Sequence, residues 1–208
     1  MKAHTKETQA EISPDKAISL LKEGNQRFVA SNMATRNLLN QVNDTASGQY
    51  PFATVLSCID SRVSAELIFD QGVGDIFSAR VAGNIVNEDL LGSVEFACKL
   101  AGTKVFVILG HTACGAVKGA CDDAKMGNLT TLLHKIKPAV RATKEPSDAS
   151  QRNSKNGDFV NDVVRNNVLL TIEDTRSLSP VLKEMEDNGE IKIVGAIYDI
   201  SNGKVTFI

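Results

Sequence analysis

The chain lacks any apolar run of the roughly 18 residues that a membrane-spanning helix requires. Its first residues, Met1 to Ser13, are polar and lack the apolar core of a secretory signal. These absences argue against a membrane protein and a visible export signal. We therefore expect a cytoplasmic protein, although a removed leader would leave no trace.

Cysteine is also scarce, with four residues in 208, at positions 58, 98, 114 and 121. That number and the uneven spacing do not suit a disulfide scaffold in a chain of this size. Charge is nearly balanced, with a net value of -2, so no nucleic-acid or membrane partner is expected. No internal repeat or second domain is visible, and the composition is ordinary for one globular domain.

Strand-like and helix-like segments alternate along the chain. Apolar runs follow Pro51 and cover 75–81, 105–109, 191–198 and 204–208, while helical patterns cover 64–70, 88–100, 159–173 and 180–188. This rhythm predicts an α/β fold with a mostly parallel central sheet flanked by helices. We expect about four parallel strands and a C-terminal antiparallel strand that closes a hairpin.

The segments outside this core divide the single domain, 1–208, into further parts. Residues 1–13 are predicted to be a flexible tail, and 14–32 a capped helical arm that packs either on a neighbouring subunit or on its own domain. Residues 33–50 read as a loop. Residues 144–158, rich in Lys, Ser, Asp and Asn, are predicted to be a mobile loop.

His111 and Cys114 follow the apolar run 105–109 and precede a helix-like segment. Three residues apart at a strand-to-helix turn, their side chains can point the same way and form half of a metal site. A single His-x-x-Cys pair more often consists of packing or capping residues. A second stretch of the same construction strengthens the metal hypothesis.

In that second stretch, Cys58, Asp60 and Arg62 follow another apolar run. Alternation along an extended chain places these three side chains on one face. If the two strands are parallel neighbours, Cys58 and Asp60 meet His111 and Cys114 in the crevice beyond the strand ends. Asp60 and Arg62 could alternatively form only a structural ion pair.

The other cysteines and histidines need no function. Cys98 lies in a helical run, where a small buried side chain is the simpler interpretation, and the same holds less strongly for Cys121. His4 falls in the predicted tail and His134 in a helix.

The pair of motifs SCIDSR and GHTACGA resembles the two signatures of the β-class carbonic anhydrases, Cys-x-Asp-x-Arg and His-x-x-Cys. The resemblance continues through residues 66–70 and 74–77, Arg80 and 82–84. It covers about residues 14–142 and extends to the C-terminal hairpin, and it is closest to the plant-like branch without bicarbonate regulation.

This resemblance implies one zinc ion per chain, bound by Cys58, His111 and Cys114. The fourth position would be held by Asp60 in a closed form, or by water in an open form in which Asp60 pairs with Arg62. A site with one exchangeable ligand is what catalytic zinc requires. The implied reaction is the reversible hydration of carbon dioxide to bicarbonate and a proton by attack of zinc hydroxide, with Asp60 and Arg62 as catalytic residues.

The resemblance also implies a substrate pocket. Gln49 matches a glutamine that donates to a substrate oxygen, and Phe77 matches an aromatic wall that a second subunit commonly supplies. The backbone N–H of Gly115 is expected to face the substrate. Two positions depart from the pattern: Ala82 stands where valine is usual and Phe96 where tyrosine is usual, which predicts a roomier pocket without one hydroxyl.

Another branch of the family has a regulatory bicarbonate site built on Trp, Arg and Tyr. The matching residues here are Val55, Arg80 and Phe96, so we expect no bicarbonate inhibition at that site. The resemblance further implies a homodimer or homotetramer.

Three other functions are alternatives to carbon dioxide hydration. A hydrolase acting on carbon disulfide or carbonyl sulfide would use the same zinc site. A non-catalytic zinc-binding protein would require a closed four-ligand site, which the presence of Arg62 and Gln49 disfavours. A nucleotide-binding module would require glycine spacing that GHTACGA does not have.

Overall fold

The computed structural model describes residues 2–208 and contains one five-stranded sheet. Its strands are β1 (Ala53–Ser57), β2 (Ile76–Arg80), β3 (Val105–His111), β4 (Lys192–Tyr198) and β5 (Val205–Phe207). The order across the sheet is β2-β1-β3-β4-β5. The first four strands are parallel and β5 is antiparallel to β4, which confirms the predicted architecture.

The central strands β1 and β3 are buried parallel neighbours, and their C-terminal ends lie side by side. Every residue of both strands is buried, as their continuous apolar runs require in a sheet that is covered on both faces. They are parallel neighbours, and Ser57 at the end of β1 is paired with Leu109 of β3. The segments that follow the two strands therefore emerge side by side at one edge of the sheet.

Nine α-helices surround the sheet in the described part of the chain. They are α1 (Lys6–Ala10), α2 (Pro14–Val29), α3 (Leu38–Thr45), α4 (Ala65–Ile68), α5 (Glu88–Glu95), α6 (Gly115–Cys121), α7 (Gly127–Ala142), α8 (Gly157–Leu178) and α9 (Pro180–Asp187). A π-helical turn, Phe96–Leu100, extends α5, and short 3₁₀ turns cover Ala82–Asn84 and Ala149–Gln151. None of the helices within residues 2–208 has the length and apolar character to cross a membrane.

The N-terminal segment is more ordered than the predicted tail. Thr5 caps α1, and the buried amide of Gln9 donates hydrogen bonds to the carbonyls of Pro51 (2.6 Å) and Ala101 (2.8 Å). Prediction of a flexible tail over 1–13 was therefore wrong for this helical part. The segment has few apolar residues because hydrogen bonds from Gln9, rather than apolar burial, attach it to the domain. A pattern of apolar residues therefore could not reveal its order.

The arm and the loop that follows it also fold onto this chain. Helix α2 packs on its own domain, since Ala17 and Leu21 are fully buried in the core that includes β1 and β3. Asn25 donates from the same helix to the carbonyls of Ile68 and Gly203. The predicted loop 33–50 contains α3, capped by Asn37, which the many Asn and Thr residues of this segment obscured.

The loop over residues 144–158, predicted to be mobile, is held together by internal hydrogen bonds. The guanidinium of Arg152 donates to four backbone carbonyls, and it also lies 4.8 Å from the ring of Phe159. The four carbonyls are those of Val140, Thr143, Lys144 and Pro146. One internal arginine thus satisfies carbonyls that a polar loop would otherwise expose.

Candidate metal centre

Three side chains converge where β1 and β3 end. Cys58 follows β1, His111 is the last residue of β3, and Cys114 immediately precedes α6. Their ligand atoms all lie within 4.8 Å of one another, and all three residues are buried. The two sulfur atoms are 3.9 Å apart. Two thiolates bound tetrahedrally at about 2.3 Å from a zinc ion would be about 3.8 Å apart, so the spacing fits.

The imidazole of His111 is oriented as a metal ligand would be. Its Nδ1 lies 3.0 Å from the carbonyl oxygen of Thr112, and this contact places the ring proton on Nδ1. The other nitrogen, Nε2, is buried and has no hydrogen-bond partner. A buried polar atom without a partner is rare and requires an explanation, and a ring nitrogen within 4.8 Å of two sulfur atoms suits a metal ligand.

The two sulfur atoms are electrostatically linked. The contact with the Cys114 sulfur lowers the pKa of Cys58 to about 4. The neighbouring sulfur and burial both raise the pKa of Cys114. The pair on its own therefore holds one proton, and a divalent cation would supply the charge that lets both sulfurs ionise.

Backbone contacts fix the position of Cys58. The N–H of Gly83, in the turn after β2, donates to the Cys58 sulfur at 3.4 Å. Arg80, the last residue of β2, donates from Nε to the Cys58 carbonyl (3.1 Å) and from Nη2 to the Asp60 carbonyl (2.7 Å). Neither contact could be predicted from the sequence, because each uses a backbone group, the Gly83 N–H or a carbonyl oxygen, and every residue type offers such groups.

Asp60 and Arg62 form a two-pronged ion pair beside the cluster. The guanidinium donates from Nε to Oδ1 (2.9 Å) and from Nη2 to Oδ2 (2.7 Å), and the Arg62 backbone N–H also donates to Oδ1. These contacts with Arg62 lower the pKa of Asp60, so its carboxyl is ionised. Oδ2 lies 3.9 Å from His111 Nε2. The carboxylate is therefore paired with Arg62 at the border of the three-residue cluster.

The predicted pocket residues divide into two groups. Ala82 precedes the residue that contacts Cys58, and Gly115 follows Cys114 at the start of α6, so both lie at the metal centre. Gln49 lies before β1 and Cys58 after it, so the two are at opposite ends of a strand that is about 16 Å long at 3.3 Å per residue. Phe77 lies near the start of β2. The structure does not bring Gln49 or Phe77 to the cluster within one chain.

Phe77 lies on an exposed edge. Strand β2 is the outermost strand of the sheet, and the ring of Phe77 contacts that of Phe96 edge-to-face at 6.4 Å. Phe96 is 51% exposed and Leu100, one turn further on, is 76% exposed. An unpaired strand edge beside exposed apolar side chains is a surface suited to a second copy.

The remaining cysteines lie outside the cluster. Cys98 and Cys121 are buried, and burial raises the pKa of each thiol to about 11. Both remain protonated at neutral pH, in agreement with their interpretation as small apolar side chains.

The fold and the cluster together define an α/β protein with a candidate Cys-His-Cys metal centre at the C-terminal ends of its two central strands. The family model described as carbonic anhydrase matches residues 53–205. Carbonic anhydrase 2 of Mycobacterium tuberculosis is 33% identical over 198 residues, which cover 92% of this chain and 91% of the relative. The carbonic anhydrase of Mycolicibacterium smegmatis is 31% identical over 199 residues, covering 93% and 92%.

Solved structures agree with these relatives. A β-carbonic anhydrase of the ascomycete Sordaria macrospora, described as tetrameric, superposes with a TM-score of 0.72 at 26% identity, covering 81% of this chain and 89% of that one. The β-carbonic anhydrase CcaA superposes with a TM-score of 0.71 at 26% identity, covering 91% and 94%. The chain belongs to the carbonic anhydrase family, in its β class, and is a carbonic anhydrase enzyme.

Proposed function

We propose that the chain binds one zinc ion through Cys58, His111 and Cys114 and catalyses the reversible hydration of carbon dioxide to bicarbonate and a proton. The convergence of three buried ligand atoms within 4.8 Å carries this proposal. Two thiolates and one imidazole are a donor set that zinc prefers, and three protein ligands leave a fourth position exchangeable. Zinc in such a site supplies a water molecule activated for attack on an electrophilic carbon.

Asp60 and Arg62 then have distinct tasks. The forked contact with Arg62 holds the Asp60 carboxylate beside His111 and away from the ligand cluster. Because its pKa is lowered, this carboxylate stays ionised throughout the neutral range. It can therefore accept a hydrogen bond from the attacking solvent molecule and so orient the lone pair of that molecule. Ala82 and Gly115 border the space left for carbon dioxide.

The site is further proposed to be completed by a second copy of the chain. Gln49 and Phe77 lie too far from Cys58 to act on a substrate held in the same chain. Phe77 is half-buried on the edge strand β2, where Phe96 and Leu100 expose apolar surface. A homodimer, alone or within a tetramer, would cover this surface and deliver both side chains across the interface.

Mixed dimers test this arrangement. One chain carries Cys58→Ala, which destroys its own metal site, and the other carries Gln49→Leu with an intact metal site. If the glutamine acts across the interface, the mixed dimer recovers hydration because the first chain supplies its intact Gln49 to the second. Mixed dimers that remain as slow as the Gln49→Leu homodimer would contradict the arrangement.

Metal analysis combined with stopped-flow assays tests the activity itself. We expect about one zinc per chain and rapid carbon dioxide hydration. A parallel assay with carbon disulfide and carbonyl sulfide separates the alternative hydrolase. Stoichiometric zinc without turnover of any of the three substrates would support the non-catalytic alternative.

A further inference from the structure

One long helix contacts the strand that ends in His111, the helix that follows Cys114 and the turn whose N–H donates to Cys58. Helix α8 packs against β3, β4, α6 and the turn after β2. It approaches β3 closely at Gly110, where a Cβ atom would lie 2.7 Å from Val168 Cγ2. Gly110 is the residue immediately before His111. The helix therefore runs directly behind the ends of the central strands.

Asn167 of α8 reaches the turn that contacts Cys58. Its side chain is 3% exposed, and its Nδ2 donates to the Gly83 carbonyl at 2.8 Å. The N–H of Gly83 in turn donates to the Cys58 sulfur. Gly83 has φ = +72°, a left-handed conformation. The hydrogen bond to Asn167 thus holds the glycine in the orientation that directs its N–H at the sulfur.

Asn161 of the same helix reaches the other ligand segment. Its Oδ1 accepts a hydrogen bond from the Ala113 N–H at 3.0 Å. Ala113 lies between His111 and Cys114 and has φ = +55°. Left-handed backbone is unfavourable for alanine by about 1–2 kcal/mol, so the turn requires external support of this kind.

We propose that Asn161 and Asn167 are positioning residues that set the separation of the Cys58 and Cys114 sulfur atoms. Neither asparagine touches a ligand atom. They stand six residues, about 9 Å, apart on one helix. Asn161 binds the backbone between His111 and Cys114, whereas Asn167 binds the turn whose N–H donates to Cys58. This inference rests on the proposed zinc site and adds a device that keeps both halves of that site in register.

The chemistry of each contact predicts which substitutions are tolerated. Ala113 offers an N–H, so position 161 requires an acceptor, which aspartate retains and leucine does not. Gly83 offers a carbonyl oxygen, so position 167 requires a donor, which leucine removes while keeping the same branching pattern. Neighbouring Asn166 provides a matched control, because its Nδ2 donates instead to Thr143 Oγ1 at 2.7 Å, away from both ligand segments.

The test compares Asn161→Leu, Asn161→Asp, Asn167→Leu and Asn166→Leu with the parent chain. Zinc affinity is measured by competition with a chromogenic chelator, and the thiolate-to-metal charge-transfer band is recorded after substitution with cobalt(II). We expect Asn161→Leu and Asn167→Leu to weaken zinc binding by about 10- to 100-fold, the range seen when groups that orient metal ligands are removed. The cobalt band should shift in both variants.

Asn161→Asp should restore near-parental affinity, and Asn166→Leu should leave both the affinity and the band unchanged. Folded Asn161→Leu and Asn167→Leu proteins with parental zinc affinity and cobalt spectra would overturn the inference. If Asn167→Leu does not fold, the comparison of Asn161→Leu with Asn161→Asp at the exposed position 161 is sufficient to test the inference. A parent chain that binds no zinc would instead refute the proposed function, so the two failures are distinguishable.

Discussion

Replacing Gly83 with alanine perturbs the metal centre through a single methyl group. Gly83 has φ = +72°, and any residue with a Cβ atom adopts such an angle at a cost of about 1–2 kcal/mol. The new Cβ would lie 2.5 Å from Ile136 Cδ1 and 3.4 Å from Ala116 Cβ. Ile136 is fully buried, so it must repack, at a cost of about 1–3 kcal/mol. The lower half of that range applies because the clashing atom is a terminal methyl.

The expected loss in unfolding free energy is therefore about 2–4 kcal/mol. For a chain of this length each kcal/mol lowers Tm by about 2–4 °C, so Gly83→Ala should melt roughly 5–15 °C below the parent. Chemical denaturation and thermal melting both measure the effect. Zinc affinity should fall as well, because the displaced turn takes its N–H away from the Cys58 sulfur.

Gly92→Ala is the control, since it lies within α5 and a Cβ there would meet no atom within 4 Å. Alanine in a helix interior is favoured over glycine by about 0.5–1 kcal/mol, so this variant should be slightly more stable than the parent. If Gly83→Ala matched the parent in stability and zinc affinity, the reasoning about this turn would be refuted.

Three further predictions concern the reaction. Arg62→Lys keeps the charge but loses the forked contact with Asp60, so hydration should fall by at least about ten-fold while zinc content stays at one per chain; an unchanged rate would remove the assigned role. Hydration should rise on the alkaline side of neutrality. Because the pKa of Asp60 is lowered from 3.8, its carboxyl is already ionised above that pH, and the rise belongs to the attacking solvent; a flat profile between about pH 6 and 9 would disagree. Bicarbonate should inhibit only as a product, because Val55 and Phe96 stand where the regulated branch has Trp and Tyr; a sigmoidal response with loss of zinc-bound solvent would contradict this.

The core of the fold and the meeting of ligand-type side chains at one edge of the sheet were predictable from local pattern. Continuous apolar runs before Cys58 and His111 identified buried parallel strands, and parallel neighbours must end at the same edge. The structure accordingly places Cys58 beside His111 and Cys114. Strand position brought these side chains together because Cys58 directly follows β1 and His111 ends β3. The choice of three metal ligands came from the family resemblance.

Contacts made through the backbone were not predictable in the same way. Gln9, Arg80 and Arg152 each bind carbonyl oxygens, which every residue has, so no partner residue type marks the contact. The helical part of the predicted tail was missed for this reason, and so were the internal hydrogen bonds of the loop 144–158. Helix α3 was missed because its Asn and Thr residues have low helix propensity and favour turns.

X-ray absorption at the zinc edge tests the central claim most directly when combined with hydration rates for the parent and Cys114→Ser. The account predicts about one zinc per chain with two sulfur neighbours at about 2.3 Å and one imidazole nitrogen at about 2.0 Å, and loss of both metal and turnover in the variant. Carbon dioxide hydration by a metal-free chain, or a bound zinc with no sulfur neighbours, would contradict it.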